Sequence, residues 1–248
     1  MSGSDYRSRI YADYASRFQD AEEVFNWAGS RQWGRAYDYF LRGWLPEDKT
    51  AAIVDLACGS GKFLHFLKER GYQSLKGVDI SPEQVRLARQ VIPDVEESDA
   101  IDFLSRHPDC FDVILGLDII EHFRKDEALR FLDGCLGALK HGGRLILQTP
   151  NGDSPWGGII RYGDFTHEIC FNSNSLARVM GLCGFQGVEA REQGPVPYGY
   201  SFKSTVRYSL WQAIRLILFL WNIIETGNSG GGIFSRVFLC SGSKKERR

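Results

Sequence analysis

From residue 51 onward, short apolar runs alternate with longer segments whose apolar positions recur at helical spacing. Ala51 to Ala57 is an apolar run broken only by Asp55 and followed by glycines, which predicts a buried parallel strand. Lys62 to Arg70 follows with Phe63, Leu64, Phe66 and Leu67 at helical spacing, and Gly71 stops it. Leu75 to Ile80 predicts a second strand. Ser81-Pro82-Glu83-Gln84 then opens a helix, with Ser81 as N-cap, Pro82 at the first helical position and Gln84 completing a capping box. Val113 to Leu117 and Leu145 to Leu147 predict further strands, separated by a helix over residues 125–140. Ser175 to Leu182 predicts another helix, and Phe185 to Glu192 and Ile233 to Cys240 two late strands. Alternating β and α elements with apolar strands predict an α/β fold, a doubly wound and mostly parallel sheet covered on both faces.

Two segments stand outside that alternation. Residues 1–45 mix charged side chains with aromatic ones, among them Tyr6, Tyr11, Tyr14, Phe18, Trp33 and Tyr37, and predict N-terminal helices lying over the later core. Pro46 and Glu47-Asp48-Lys49 break the chain there. Residues 46–194 are the core, 195–232 an apolar helical insertion and 233–248 the last strand and tail, all within the single domain that 248 residues favour. Within the insertion, Ser209 to Ile224 is the most hydrophobic stretch, but Arg215 interrupts it. A membrane-spanning helix needs about 20 apolar residues, so none is predicted. On a helical wheel Arg207, Gln212, Arg215, Asn222 and Glu225 share one sector, and the rest is broadly apolar. Such a stripe predicts burial or a homodimer contact ahead of peripheral membrane contact through residues 205–226, which two tryptophans with Lys203 and Arg207 would also fit.

Composition narrows the function classes. Lys and Arg (30) almost cancel Asp and Glu (31), which argues against a general polyanion binder while leaving room for a local basic patch, and no nucleic acid partner is expected. Six scattered cysteines form no C-x-x-C pair, which excludes a zinc knuckle or redox dithiol and fits a reducing, cytoplasmic compartment. The polar start Met1-Ser2-Gly3-Ser4-Asp5 shows no secretory signal.

The chemistry concentrates after the first strand, in Asp55-Leu56-Ala57-Cys58-Gly59-Ser60-Gly61. In an open α/β sheet, ligands bind at the carboxyl ends of strands, and glycine lets backbone approach them closely. A phosphate-binding Walker loop needs Ser or Thr after its lysine, but Phe63 follows Lys62. A dinucleotide fingerprint needs a third glycine where Phe63 and Leu64 stand. The run instead resembles the first motif of the class I S-adenosylmethionine-dependent methyltransferases, with Ala57 in place of the first glycine. Asp79 lies about 20 residues on, the spacing at which an acid meets ribose hydroxyls in related folds. Ser98-Asp99-Ala100, Leu117-Asp118 and His141-Gly142-Gly143 resemble the later motifs in order.

That resemblance implies a seven-stranded, Rossmann-like methyltransferase fold and S-adenosylmethionine as cofactor. It assigns cofactor binding to Asp55, Ala57, Gly59, Ser60, Gly61, Asp79, Ile80, Asp99, Ala100 and Leu117. Asp55, Gly59 and Gly61 would surround the methionine portion and Asp99 would meet the adenine amino group.

Asp118-Ile119-Ile120-Glu121-His122 resembles the Glu-x-x-Glu-His segment of quinone-biosynthesis O-methyltransferases and small-RNA 2′-O-methyltransferases, with Asp118 in place of the first glutamate and a later histidine in Asp164-Phe165-Thr166-His167-Glu168. The likeness implies a divalent metal, Mg²⁺ or Mn²⁺, on Asp118, Glu121, His122 and His167. Alternatively the histidines work without metal, His167 as general base and His122 orienting the acceptor. His65 and His107 read as surface residues and His141 as a turn residue. Thr166-His167-Glu168, Pro195-Val196-Pro197, the apolar helix and Glu225-Thr226-Gly227 together resemble methyltransferases of bacterial surface-polysaccharide synthesis. They imply a sugar hydroxyl, on a glycan or lipid-linked saccharide, as acceptor. A small phenolic or quinone-like lipid is the alternative, and a catalytically inactive binding subunit a third.

Overall fold

The computed structural model describes Ile10, residues 24–197 and residues 201–247. Tyr6, Tyr11, Tyr14 and Phe18 of the expected N-terminal cover lie outside those residues. Seven strands form one sheet: β1 (Ile53–Leu56), β2 (Leu75–Asp79), β3 (Val95–Glu97), β4 (Phe111–Leu117), β5 (Leu139–Pro150), β6 (Gln186–Glu192) and β7 (Val237–Ser243). Their order is β3-β2-β1-β4-β5-β7-β6. The first five run parallel, and β7 is antiparallel to both β5 and β6. Chain order reverses beside β1, so a crevice opens at the carboxyl ends of β1 and β4.

The strands are apolar because both faces are covered. Side chains alternate along a strand, so Val113, Leu115 and Ile146 join one core while Ile114, Leu145 and Leu147 join the other. The first core is closed by α1 (Trp27–Gly34), α2 (Tyr37–Phe40) and α3 (Lys62–Glu69), through Tyr37, Phe40, Phe63 and Phe66. The second is closed by α5 (Ala100–Ser105), α6 (Lys125–Ala138) and α8 (Ser173–Leu182), through Phe103, Phe131, Leu132 and Met180. Each large apolar side chain so buried contributes about 1.5–3 kcal/mol. A third cluster packs α4 (Pro82–Ala88) on the sheet with Cys58, Leu64, Val85 and Val95. The remaining helices are α7 (Gly157–Gly163) and α9 (Phe202–Thr226).

Four expectations are corrected. His65 is buried, not superficial, because α1 packs on α3 and brings Ser30 Oγ within 2.8 Å of its Nδ1; burial holds its pKa below the usual histidine value. Ser81 stands at the N-cap of α4, but its hydroxyl caps nothing; the Asp79 carboxylate takes the Ser81 N–H instead, at 2.9 Å. The last strand covers Val237–Ser243 rather than 233–240, since the β5 ladder pairs Pro150 with Val237 and Arg144 with Ser243. No residue of α9 is buried, so the apolar insertion does not enter the core. None of the helices in the described residues is long and apolar enough to cross a membrane.

The turn from β1 into α3 depends on Gly61, whose φ is +87°. A Cβ there would stand 3.1 Å from Ala88 Cα and 3.2 Å from Ala88 Cβ. Left-handed backbone and overpacking each cost about 1–3 kcal/mol. Gly61→Ala is therefore expected to destabilise the fold by about 2–4 kcal/mol, read from urea unfolding. A midpoint equal to the wild type would show that α4 moves aside freely.

Candidate active site

A cavity of about 1130 Å³ opens at the carboxyl edge of the sheet. Its wall holds Asp55, Ala57, Gly59, Ser60, Asp79, Ile80, Asp99, Ala100 and Leu117, and beyond them Asp118, Glu121, His122 and His167. Every expected site residue except Gly61 thus lies in one space. Gly61 acts beneath it, as the close contact with α4.

At one end, the loop after β1 is held open by backbone conformation. Ala57 and Gly59 both have φ of +53°. A left-handed alanine carries a cost that glycine does not, which explains why the family pattern has glycine at this position. At Gly59 an added Cβ would meet nothing nearer than Gln84, at 4.0 Å, so the loop borders open cavity. Asp79 Oδ2 accepts the Gly59 N–H at 2.8 Å and Oδ1 accepts that of Ser81. Burial raises the Asp79 pKa, and the N–H groups of Ser81, Gly59 and Ile80 oppose the rise. Asp55 is only 2% exposed; burial first and the Asp79 charge second push its carboxyl well above the usual range. Asp99 lies further along the wall and caps α5, accepting from Ile101 N and Asp102 N through one carboxylate oxygen.

Four side chains after β4 and α7 form the other end. Asp118 has left-handed backbone, with φ of +55°, and its Oδ2 accepts from Gln148 Nε2 at 2.8 Å. Gln148 Oε1 in turn accepts from Tyr37 OH at 2.7 Å, and Tyr37 OH accepts from Gln193 Nε2 at 3.0 Å. The donors run one way, from Gln193 just past β6 through the N-terminal cover to the cavity. Glu121, 1% exposed, accepts from Thr149 Oγ1 through Oε2, while its buried Oε1 has no hydrogen-bond partner. Burial, and then the charge of Asp118, push its carboxyl well up.

The two imidazoles stand with ring centroids 4.9 Å apart. Nδ1 of His167 lies 3.1 Å from the carbonyl of Ile160, which can only accept, so the proton sits on Nδ1. Thr166 Oγ1 donates to Asp164 Oδ1 at 2.6 Å and lies 2.8 Å from His122 Nδ1. With its single proton committed, that hydroxyl accepts from His122, whose Nδ1 therefore also carries hydrogen.

Ligand atoms of Glu121, His122 and His167 all lie within 4.8 Å of one another. Asp118, the fourth expected metal ligand, is not in that group. Sequence reasoning missed Tyr37 and Gln148 as site residues, and it named Asp164 only as part of the segment leading to His167. A glutamine ending the apolar run Leu145-Ile146-Leu147-Gln148 was the one available signal.

Residues 26–190 match the model of a methyltransferase domain family. The chain belongs to that family. Its sheet order is that of the class I S-adenosylmethionine-dependent methyltransferase fold. The trans-aconitate 2-methyltransferase of Azoarcus sp. (strain BH72) is 35% identical over 119 residues, 47% of this chain and 46% of that protein. A ubiquinone biosynthesis O-methyltransferase from Ralstonia nicotianae is 28% identical over 103 residues, 39% of this chain and 42% of that protein. The chain spans less than half the length of these curated relatives. A solved S-adenosylmethionine-dependent methyltransferase from Archaeoglobus fulgidus superposes with a TM-score of 0.64 at 20% identity, covering 97% of this chain and 100% of that one. That last likeness is one of fold.

The family's cofactor fits what the residues offer. The open arc at Gly59 and two buried carboxylates suit a ligand carrying positive charge and hydroxyl donors, and no phosphate-binding lysine cradle is required. One stability consequence can be measured. An acid whose pKa is raised by folding loses stabilisation as pH climbs from its unfolded value, about 3.9 for Asp, toward the folded one. Asp55→Asn removes that loss. The variant's stability relative to wild type should rise with pH above about 4, by up to 1.4 kcal/mol per unit. Urea unfolding at several pH values, without cofactor, checks this; a difference that falls with pH would mean Asp55 is charged in the native state.

Proposed function

We propose that this protein is an S-adenosylmethionine-dependent O-methyltransferase acting on a sugar hydroxyl of a glycan or lipid-linked saccharide. The observation that carries the reading is the pair of imidazoles, with ring centroids 4.9 Å apart, lining the same cavity as the glycine loop. S-adenosylmethionine supplies an electrophilic methyl group on a positively charged sulfur. In this reading Asp55, Gly59 and Ser60 hold the cofactor's amino-acid end, Asp79 accepts its ribose hydroxyls, and Ile80, Asp99, Ala100 and Leu117 border its adenine. A neutral hydroxyl is a poor nucleophile, so a positioned base contributes about 10²–10⁴-fold. His167 takes the acceptor's proton on Nε2, with Ile160 fixing its tautomer and Asp118 close enough to stabilise the imidazolium. His122, braced by Thr166 and Asp164, orients the acceptor oxygen. The sugar acceptor rests on the looser C-terminal resemblance. Against it stands a phenolic or quinone-like acceptor, favoured by the apolar lip of Phe123, Ile159 and Ile160.

A second reading of the same groups places a divalent cation, Mg²⁺ or Mn²⁺, on Glu121, His122 and His167. The donor set fits. Each imidazole gives its Nδ1 proton to an oxygen, the usual bracing of a metal-bound histidine, and Glu121 Oε1 is buried without a partner. Such an ion would polarise the acceptor oxygen.

Uptake of labelled methyl from S-adenosylmethionine by a panel of glycans, nucleotide sugars and phenols tests the acceptor. Labelled sugar is the expected product, and labelling confined to phenols overturns that assignment. With the responding acceptor, His167→Ala should lower turnover at least about 10²-fold and leave cofactor affinity nearly intact. Near-normal turnover would remove His167 as base. Chelator separates the two readings, since full activity in its presence excludes the cation.

A further inference from the structure

Helix α9 is built inside out. A helix on a protein surface turns apolar residues inward and polar ones to water. Here the side facing the protein is the polar one. Trp211 Nε1 donates to Glu192 Oε2 at 3.0 Å, and Arg215 pairs with the same carboxylate at 3.2 Å while reaching Gly232 O. Ser204 donates to Val196 O, and Asn222 Nδ2 to Asn228 O. The opposite side carries Leu210, Ile214, Ile217, Leu220, Trp221 and Ile224, with Ile217 62% and Ile224 85% exposed.

The outward apolar arc is also wide. At about 100° per residue, Leu216 and Ile223 lie near one border and Ile214 near the other, so the arc spans close to half the helix. Between Tyr208 and Glu225 the exposed positions carry no charge. A partner helix covers a narrower stripe, whereas a lipid surface covers half a helix. Cations flank the arc, with exposed Lys203 and Arg207 in the first turns of α9.

Topology places this helix at the edge of the sheet where the cavity opens. β6 ends and β7 begins at the edge where β5 ends, so α9, inserted between them, lies at the carboxyl edge of the sheet. α7 follows β5 at the same edge. Its Ile159 and Ile160 line the cavity, and Trp156, Tyr162 and Phe165 around it are exposed. Arg161 and Arg236 stand over Tyr162 and Trp156. Aromatic side chains mixed with arginine and lysine are the composition of a membrane interface.

We propose that α9, together with the exposed side of α7, docks this protein on an anionic lipid bilayer and sets the cavity mouth against the lipid. The proposal concerns binding alone, and it stands whether or not the acceptor assignment above is right. Docking would give the cavity an acceptor carried on a lipid.

Co-sedimentation of the full chain with vesicles of phosphatidylcholine and phosphatidylglycerol in equal parts tests it, beside vesicles of phosphatidylcholine alone. Binding to the mixed vesicles is expected, weakened by salt and by removal of the anionic lipid. Ile217→Glu removes one apolar contact and adds a buried charge, and should weaken binding at least about tenfold. Ile217 touches no core, so cofactor affinity and unfolding midpoint should be unchanged, which separates lost docking from lost folding. Absence of vesicle binding by the wild-type chain overturns the proposal. If sedimentation equilibrium then shows a dimer that Ile217→Glu dissociates, the face is an interface between two copies.

Discussion

A single carboxylate, that of Asp79, receives backbone N–H groups from two different loops, and the glycine-loop edge of the cavity is arranged around it. β1 and β2 are parallel, so both release the chain at the same edge and each must turn back into a helix there. The two turns would otherwise leave N–H groups without a protein acceptor. Asp79 takes Gly59 N from one turn and Ser81 N from the other, which fixes their separation. The cost is a buried charge, visible in the raised pKa. The left-handed residues Ala57, Gly59 and Gly61 follow from the same geometry, because the chain must curl tightly enough to bring Gly59 N onto that oxygen.

The far end of the cavity uses the opposite strategy, an oriented chain of side-chain donors. Gln193, Tyr37 and Gln148 pass hydrogen bonds in one direction to Asp118, so the N-terminal cover reaches the site through a buried polar line. Asp118 is thereby held on one side and left facing the imidazoles on the other. Asp55, Asp79, Asp118 and Glu121 gather in one cavity, and burial pushes all four carboxyl groups up. Such a cavity favours a positively charged guest, since the guest's charge offsets repulsion among the acids. This is a physical reason for a sulfonium cofactor that does not depend on family likeness.

The insertion obeys neither logic. α9 adds no buried residue to either core and is fastened at a few polar points, chiefly Glu192. The stability of the sheet therefore rests elsewhere, on the two faces closed by α3 and α6. A helix freed from core packing can carry an outward surface that a core helix cannot. That freedom lets a wide apolar face persist without disturbing the fold.

The strands and most helices were legible because their signals are local. Apolar runs ending at glycine gave β1, and helical spacing gave α3 and α6 within a residue or two. The cavity wall at the glycine loop was legible for the same reason, since Asp55, Gly59 and Asp79 stand at or beside strand ends whose positions the runs already fix. The rest required the folded chain. Nothing local tells that His65 is covered by Ser30, that Gln148 links Tyr37 to Asp118, or that Thr166 braces His122, because each contact spans at least 30 residues. The helical wheel separated the two faces of α9 but left open whether the apolar one meets the core, a second copy or a membrane, and of these the fold removes the core. Periodicity reports that a helix has two unlike faces; only the position of Glu192 at the end of β6 decides which of them meets the protein.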